Sequence, residues 1–98
     1  MREPVSDARL REALEALGGW RRDGDRIERV YEFPAYGDAA AFAQRIFLLA
    51  ERQRRPLEAV CVMPGRVGVA LATPEVGVTE EDLRMAALIN HYYEQFDA

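Results

Sequence analysis

Residues 58–73, "EAVCVMPGRVGVALAT", hold two apolar runs of strand type separated only by Pro64-Gly65. No other stretch restricts the fold as much, because strands joined this tightly must lie antiparallel and side by side. Proline holds φ near about −65°, which rules out the mirror-image hairpin turns at its position. A type I or II turn with Gly65 at positive φ is therefore expected. The second run alternates cleanly, with Val67, Val69, Leu71 and Thr73 on one face and Gly68, Ala70 and Ala72 on the other. One side of that strand suits a core. The other lets a neighbour approach the backbone.

Further toward the N-terminus the same logic repeats. "RRDGD" supplies an Asp23-Gly24 hairpin signal between a short strand at Trp20 to Arg22 and the run "RIERVYEF". Ile27, Tyr31 and Phe33 share one face of that run, interrupted by Arg29, while Glu28 and Glu32 flank Val30 on the other. Helical spacing governs the remainder. In "SDARLREALEALGG", Leu10, Ala13, Leu14 and Leu17 form a stripe, Ser6 or Asp7 can cap, and Gly18-Gly19 supplies the stop. Asp38 is expected to open the longest helix, "AAAFAQRIFLLAERQR", which buries Phe42, Ile46, Leu49 and Ala50. Pro56 is expected to push Arg55 out of the helical region. The last helix starts at Thr79-Glu80-Glu81-Asp82, a capping-box pattern, and carries Met85, Leu88, Ile89, Tyr92 and Phe96 at helical spacing. The order α-β-β-α-β-β-α predicts an α+β fold, a four-stranded antiparallel sheet covered by helices on one face. A single domain spanning residues 1–98 is expected.

Thirteen basic residues against seventeen acidic ones leave a net charge of −4, so no nucleic-acid partner is expected. The chain has no apolar run of membrane-spanning length and no apolar core of a signal peptide in "MREPVSDARLRE". No membrane partner is expected, and with one cysteine, Cys61, the expected location is cytoplasmic. "EAVCVM" carries no charge after Glu58, so at a sheet edge it would invite a second copy, and a homo-oligomer is expected.

Chemistry is sparse. Ser6, the only serine, suits a cap, and His91, the only histidine, sits late in a helix without a partner. Cys61 suits a small core position. Metal binding would need more His or Cys, so no metal and no cofactor are expected. Glu80, Glu81 and Asp82 suit a helix N-terminus. Glu51, one turn before Arg54 and Arg55, is placed to pair with either.

The pieces "LGGW", "RIERVYEF" with Tyr36, "AAAFAQRIFLLAE", a basic pair with proline, "VGVALAT" and "GVTEEDLRMAALIN" together resemble the pterin-4a-carbinolamine dehydratase family. That family removes water from 4a-hydroxytetrahydropterins. The resemblance implies the fold derived above, sheets paired into dimers, and often tetramers built through helices. It also implies acid-base chemistry by three histidines, two in a His-His-Pro corner and one after a strand-end threonine. Here the corner reads Arg54-Arg55-Pro56, and Thr73 is followed by Pro74. The stretch from Ala50-Glu51 to Pro56 is also one residue shorter than the family's usual length. Glu51, Thr73 and Asp82 keep the family's residue types.

Arginine would have to lose its proton at a cost of roughly 7 kcal/mol at neutral pH to act as a base, and proline has no side-chain proton. Arginine does hold anions and stack on flat rings. The sequence thus points to a catalytically silent, dehydratase-like homodimer or homotetramer. Its Arg54, Arg55, Thr73 and Pro74 would bind a pterin-like or anionic small molecule, or its surface a protein partner. The alternative is a weak or altered dehydratase using Glu51 and Asp82 as acid and base. A third reading makes Arg54 and Arg55 only a solvated helix end.

Overall fold

The computed structural model describes residues 3–97. Residues 1, 2 and 98, part of the expected domain span, lie outside the described residues. The chain runs α1 (Asp7–Leu17), β1 (Arg21–Asp23), β2 (Arg26–Glu32), α2 (Tyr36–Gln53), β3 (Ala59–Met63), β4 (Arg66–Leu71) and α3 (Glu80–Asp97). This is the expected α-β-β-α-β-β-α order. The four strands form one antiparallel sheet in the order β1-β2-β4-β3, which makes β1 and β3 the edges.

Each local signal has a visible cause. Ser6 Oγ accepts the Arg9 N–H at 3.1 Å and starts α1, and Gly18 ends it at φ 73° with its N–H on Leu14 O. Gly65 takes φ 75° between β3 and β4, and its carbonyl accepts the Phe33 N–H at 2.8 Å. Helix α2 starts earlier than expected. It begins at Tyr36 after Ala35, which has no capping side chain, and Asp38 lies inside the first turn. At that position the carboxylate still meets the positive end of the helix dipole, although it caps nothing. Nor is α2 the longest helix, because α2 and α3 each have 18 residues.

On one sheet face, Ile27, Tyr31, Val67, Val69 and Leu71 are buried against Phe42, Ile46 and Leu49 of α2 and Leu83, Ala86 and Ile89 of α3. The stripe of α3 holds Met85, Ile89, Tyr92 and Phe96 as expected and is widened by buried Leu83 and Ala86, while Leu88 departs from it at 37% exposed. Cys61 is exposed rather than in the core. It pairs with Gly68 of β4 from an edge strand, on the face without helices, so no strand flanks its outer side and no helix covers it.

The polar centre of this core is Asn90. Its Oδ1 accepts from Trp20 Nε1 at 2.8 Å, Arg29 Nη1 at 2.8 Å and Tyr31 Oη at 2.5 Å, and its Nδ2 donates to Leu17 O at 2.9 Å. Arg29 is tolerated on the core face because its guanidinium lies over the Tyr31 ring at 4.4 Å and also donates to Gly18 O. Gly19 makes room for it: a Cβ there would lie 2.5 Å from the Arg29 guanidinium carbon. The "LGGW" stretch thus serves as both helix stop and arginine berth.

Candidate functional site

Three chain ends converge where the end of α2, the end of β4 and the start of α3 meet. Helix α2 stops in a Schellman motif. The Arg55 N–H donates to Ala50 O at 2.9 Å, the Arg54 N–H donates to Glu51 O at 3.1 Å, and Arg54 takes a left-handed φ of 55°. This reversal directs Arg55 back toward α3, while Pro56 follows directly. The left-handed turn at Arg54 therefore ends the helix.

At α3 the capping box forms as its sequence pattern suggests. Thr79 Oγ1 accepts the Asp82 N–H at 3.4 Å, and Asp82 Oδ2 accepts the Thr79 N–H at 2.9 Å. The same carboxylate oxygen accepts from Thr73 Oγ1 at 2.9 Å, just past β4, and from Thr79 Oγ1 at 3.1 Å. Its other oxygen accepts from Arg55 Nη2 at 2.8 Å, and that nitrogen also donates to Thr73 Oγ1 at 2.9 Å. Arg55 Nη1 lies 3.5 Å from Glu81 Oε2. The Arg55 side chain is 11% exposed and that of Asp82 is 4%. A nearly buried guanidinium is therefore matched by one buried carboxylate and one half-buried one.

The remaining candidates fall elsewhere. Arg54 is exposed and takes no part in this cluster. Glu51 is exposed on α2, and among the described residues its side chain pairs with neither arginine; only its carbonyl meets the Arg54 N–H. Pro74 is exposed in the Thr73–Gly77 turn, where Glu75 holds φ 65°. Thr73 and Pro74 border an open cleft of about 290 Å³ also lined by Asp23, Asp25, Glu58 and Glu75, with Arg26 its one cation among the described residues. His91 is exposed near Gln95. Among the described residues no group of three or more His, Cys, Asp or Glu could hold a metal ion, and no helix is long and apolar enough to cross a membrane. Glu81 is the contributor that sequence reasoning missed as a partner of the corner. Its capping role was legible, but a contact across 26 residues leaves no local pattern.

Chemically, the cluster can fix two helix ends and a strand end together. Both Asp82 oxygens already accept hydrogen bonds, and the Arg55 charge faces carboxylates. The fold and this cluster define a small α+β scaffold with a polar centre where helix ends meet a strand end, the dehydratase-like class. The chain belongs to the pterin 4 alpha carbinolamine dehydratase family, whose profile matches residues 3–92.

A Thermomicrobium roseum protein named for pterin-4-alpha-carbinolamine dehydratase is 35% identical over 83 residues, covering 84% of this chain and 88% of its own. A Nitrobacter hamburgensis protein with the same name is 36% identical over 99 residues, covering 98% and 97%. A solved structure described as a transcriptional coactivator/pterin dehydratase from Brucella melitensis superposes with a TM-score of 0.83 at 34% identity, covering 91% of this chain and 97% of its own. A pterin dehydratase-like protein described as a RuBisCO assembly factor in the alpha-carboxysome superposes with a TM-score of 0.67 over 78% of this chain and 94% of its own. At 18% identity, that last likeness concerns the fold alone.

Proposed function

We propose that the chain is a catalytically silent pterin-4a-carbinolamine dehydratase-like protein that acts as a cytoplasmic homo-oligomer through protein interaction. The observation that carries this reading is Arg55, a permanent cation held on Asp82, Thr73 and Glu81 at the corner where the family's histidine pair is expected. Dehydration of a 4a-hydroxypterin needs a proton delivered to the leaving hydroxyl and another removed from nitrogen. Groups that titrate near neutrality do this best. Arg55 can do neither, and Asp82 already accepts on both oxygens.

Between the silent roles, protein interaction is better supported than anion binding at Arg54 and Arg55. The Arg55 charge is already answered by two carboxylates, and the cleft beside Pro74 is acidic. Edge strand β3, with Val62 41% exposed, favours self-association. A distant protein of this fold is described as an assembly factor, which gives a partner role precedent. The weak-dehydratase reading needs Glu51 and Asp82 to work together, and Glu51 is exposed and makes no contact with Asp82 among the described residues.

A stopped-flow assay of 4a-carbinolamine dehydration tests this, with wild type beside Arg54→His/Arg55→His/Pro74→His. We expect the wild type to match the uncatalysed rate. Acceleration well above that rate would sink the silent reading.

A further inference from the structure

The Asp82 carboxylate divides its oxygens between two kinds of partner. Oδ2 is served by fixed neighbours: the Thr79 N–H at 2.9 Å, Thr73 Oγ1 at 2.9 Å and Thr79 Oγ1 at 3.1 Å. Among the described residues, Oδ1 accepts from Arg55 Nη2 alone, at 2.8 Å. Thr73 gives its one hydroxyl proton to Asp82, so its lone pairs are left to accept from that same arginine nitrogen at 2.9 Å. Asp82, Thr73 and Thr79 are all buried, and they belong to the end of β4 and the cap of α3, not to α2. The acceptor wall thus stands without Arg55, which enters it from the end of α2. Glu81 faces the other arm of the fork, 3.5 Å from Nη1. Outside the fork, a cleft of about 110 Å³ between Gln53, Glu81, Arg84 and Met85 opens onto Arg55.

We propose that the corner is a built guanidinium site that the chain keeps closed with its own Arg55. The class of ligand it takes, once Arg55 is out, is a small planar guanidinium or amidinium cation. Geometry sets that class. One nitrogen must meet Asp82 Oδ1 and Thr73 Oγ1 together while a second faces Glu81. A planar fork does this, and a compact ammonium does not. Charge supplies the drive, because a buried carboxylate deprived of its one cation is strongly unfavourable. In the wild type the tether presents Arg55 at an effective concentration of about a millimolar or more, so a dilute free cation cannot displace it. The closed corner therefore turns away cations through Arg55 and anions through Asp82 and Glu81. This goes beyond the silent reading above and holds whether or not the chain dehydrates a pterin.

Arg55→Ala empties the site, and thermal unfolding of the full chain followed by circular dichroism reads what refills it. The variant is expected to melt about 10 °C or more below wild type. Methylguanidinium at about 10 mM should return roughly 5 °C of that loss and leave the wild type unchanged. Methylammonium has the charge without the fork, and urea has a planar fork without the charge. At equal concentration and ionic strength, neither should raise the melting temperature. Asp82→Asn in the Arg55→Ala background should abolish the rescue. If Arg55→Ala is unfolded on its own, the same titration reads recovery of the folded spectrum instead. No rescue by methylguanidinium, or equal rescue by methylammonium, overturns the proposal. So does a wild type stabilised as much as the variant, because the cation would then bind elsewhere. Dehydratase turnover in the wild type would overturn the silent reading and leave this rescue untouched, so the two failures are separable.

Discussion

Asn90 shows what a single side chain does here. Its one carbonyl oxygen serves Trp20, Arg29 and Tyr31, so the link between α1 and β1 and strand β2 share one acceptor on α3. Burial pushes the Tyr31 hydroxyl well above its ordinary range, a rise that the Arg29 charge opposes without cancelling. The folded state thus favours neutral Tyr31. As pH rises past about 10, tyrosine in the unfolded chain ionises while Tyr31 in the fold keeps its proton. This contribution to stability is complete below that pH and is lost above it. Urea unfolding across alkaline pH should show wild type losing up to about 1.4 kcal/mol per pH unit more than Tyr31→Phe. Parallel pH profiles would show that Tyr31 stays out of the linkage. None of this was legible locally, since Arg29 reads only as an interruption and Asn90 is one polar residue on a helix. Such a contact is fixed by where two distant elements cross.

At the scale of elements, the starts of α1 and α3 and the glycine turns were the most legible features, whereas the start of α2 was not. Ser6, Gly18, Gly65 and the Thr79–Asp82 box all do what their residue types suggest, because capping and positive φ are local chemistry. The end of α2 was legible in part, since Arg55 before Pro56 lies outside the helix as expected. Pro56 is the conspicuous residue, yet the left-handed Arg54 makes the turn, and nothing in an arginine advertises that conformation. A non-glycine residue there carries strain of roughly 1 kcal/mol. Arg54→Gly should therefore raise the unfolding free energy by about 0.5–1 kcal/mol in urea. A destabilised variant would mean that the Arg54 side chain contributes more than its exposure suggests.

For the whole molecule, sheet order decides which surfaces remain open. The sequence order of strands suggests neighbours, and the structure pairs β2 with β4, leaving β1 and β3 outside. Only β3 is an apolar edge, since β1 reads Arg21-Arg22-Asp23. If β3 joins copies, Val62→Lys should lower the mass measured by light scattering while leaving the circular dichroism spectrum unchanged. A wild-type chain that scatters as a monomer removes the basis for edge pairing. The candidate site was half legible: residue types and their order marked the corner, but its partners Asp82 and Glu81 lie across the fold.

The Schellman turn at Arg54 makes the corner a matter of counting as well as of chemistry. One residue added before Arg54 would turn everything after it by about 100° around the α2 axis and carry it about 1.5 Å further along. The Arg55 guanidinium would then leave Asp82 and Thr73, and a different side chain would face them. By its resemblance to the family, this chain is one residue short in that stretch, so on the silent reading proposed above histidines placed at 54 and 55 would face another way unless a residue were inserted with them.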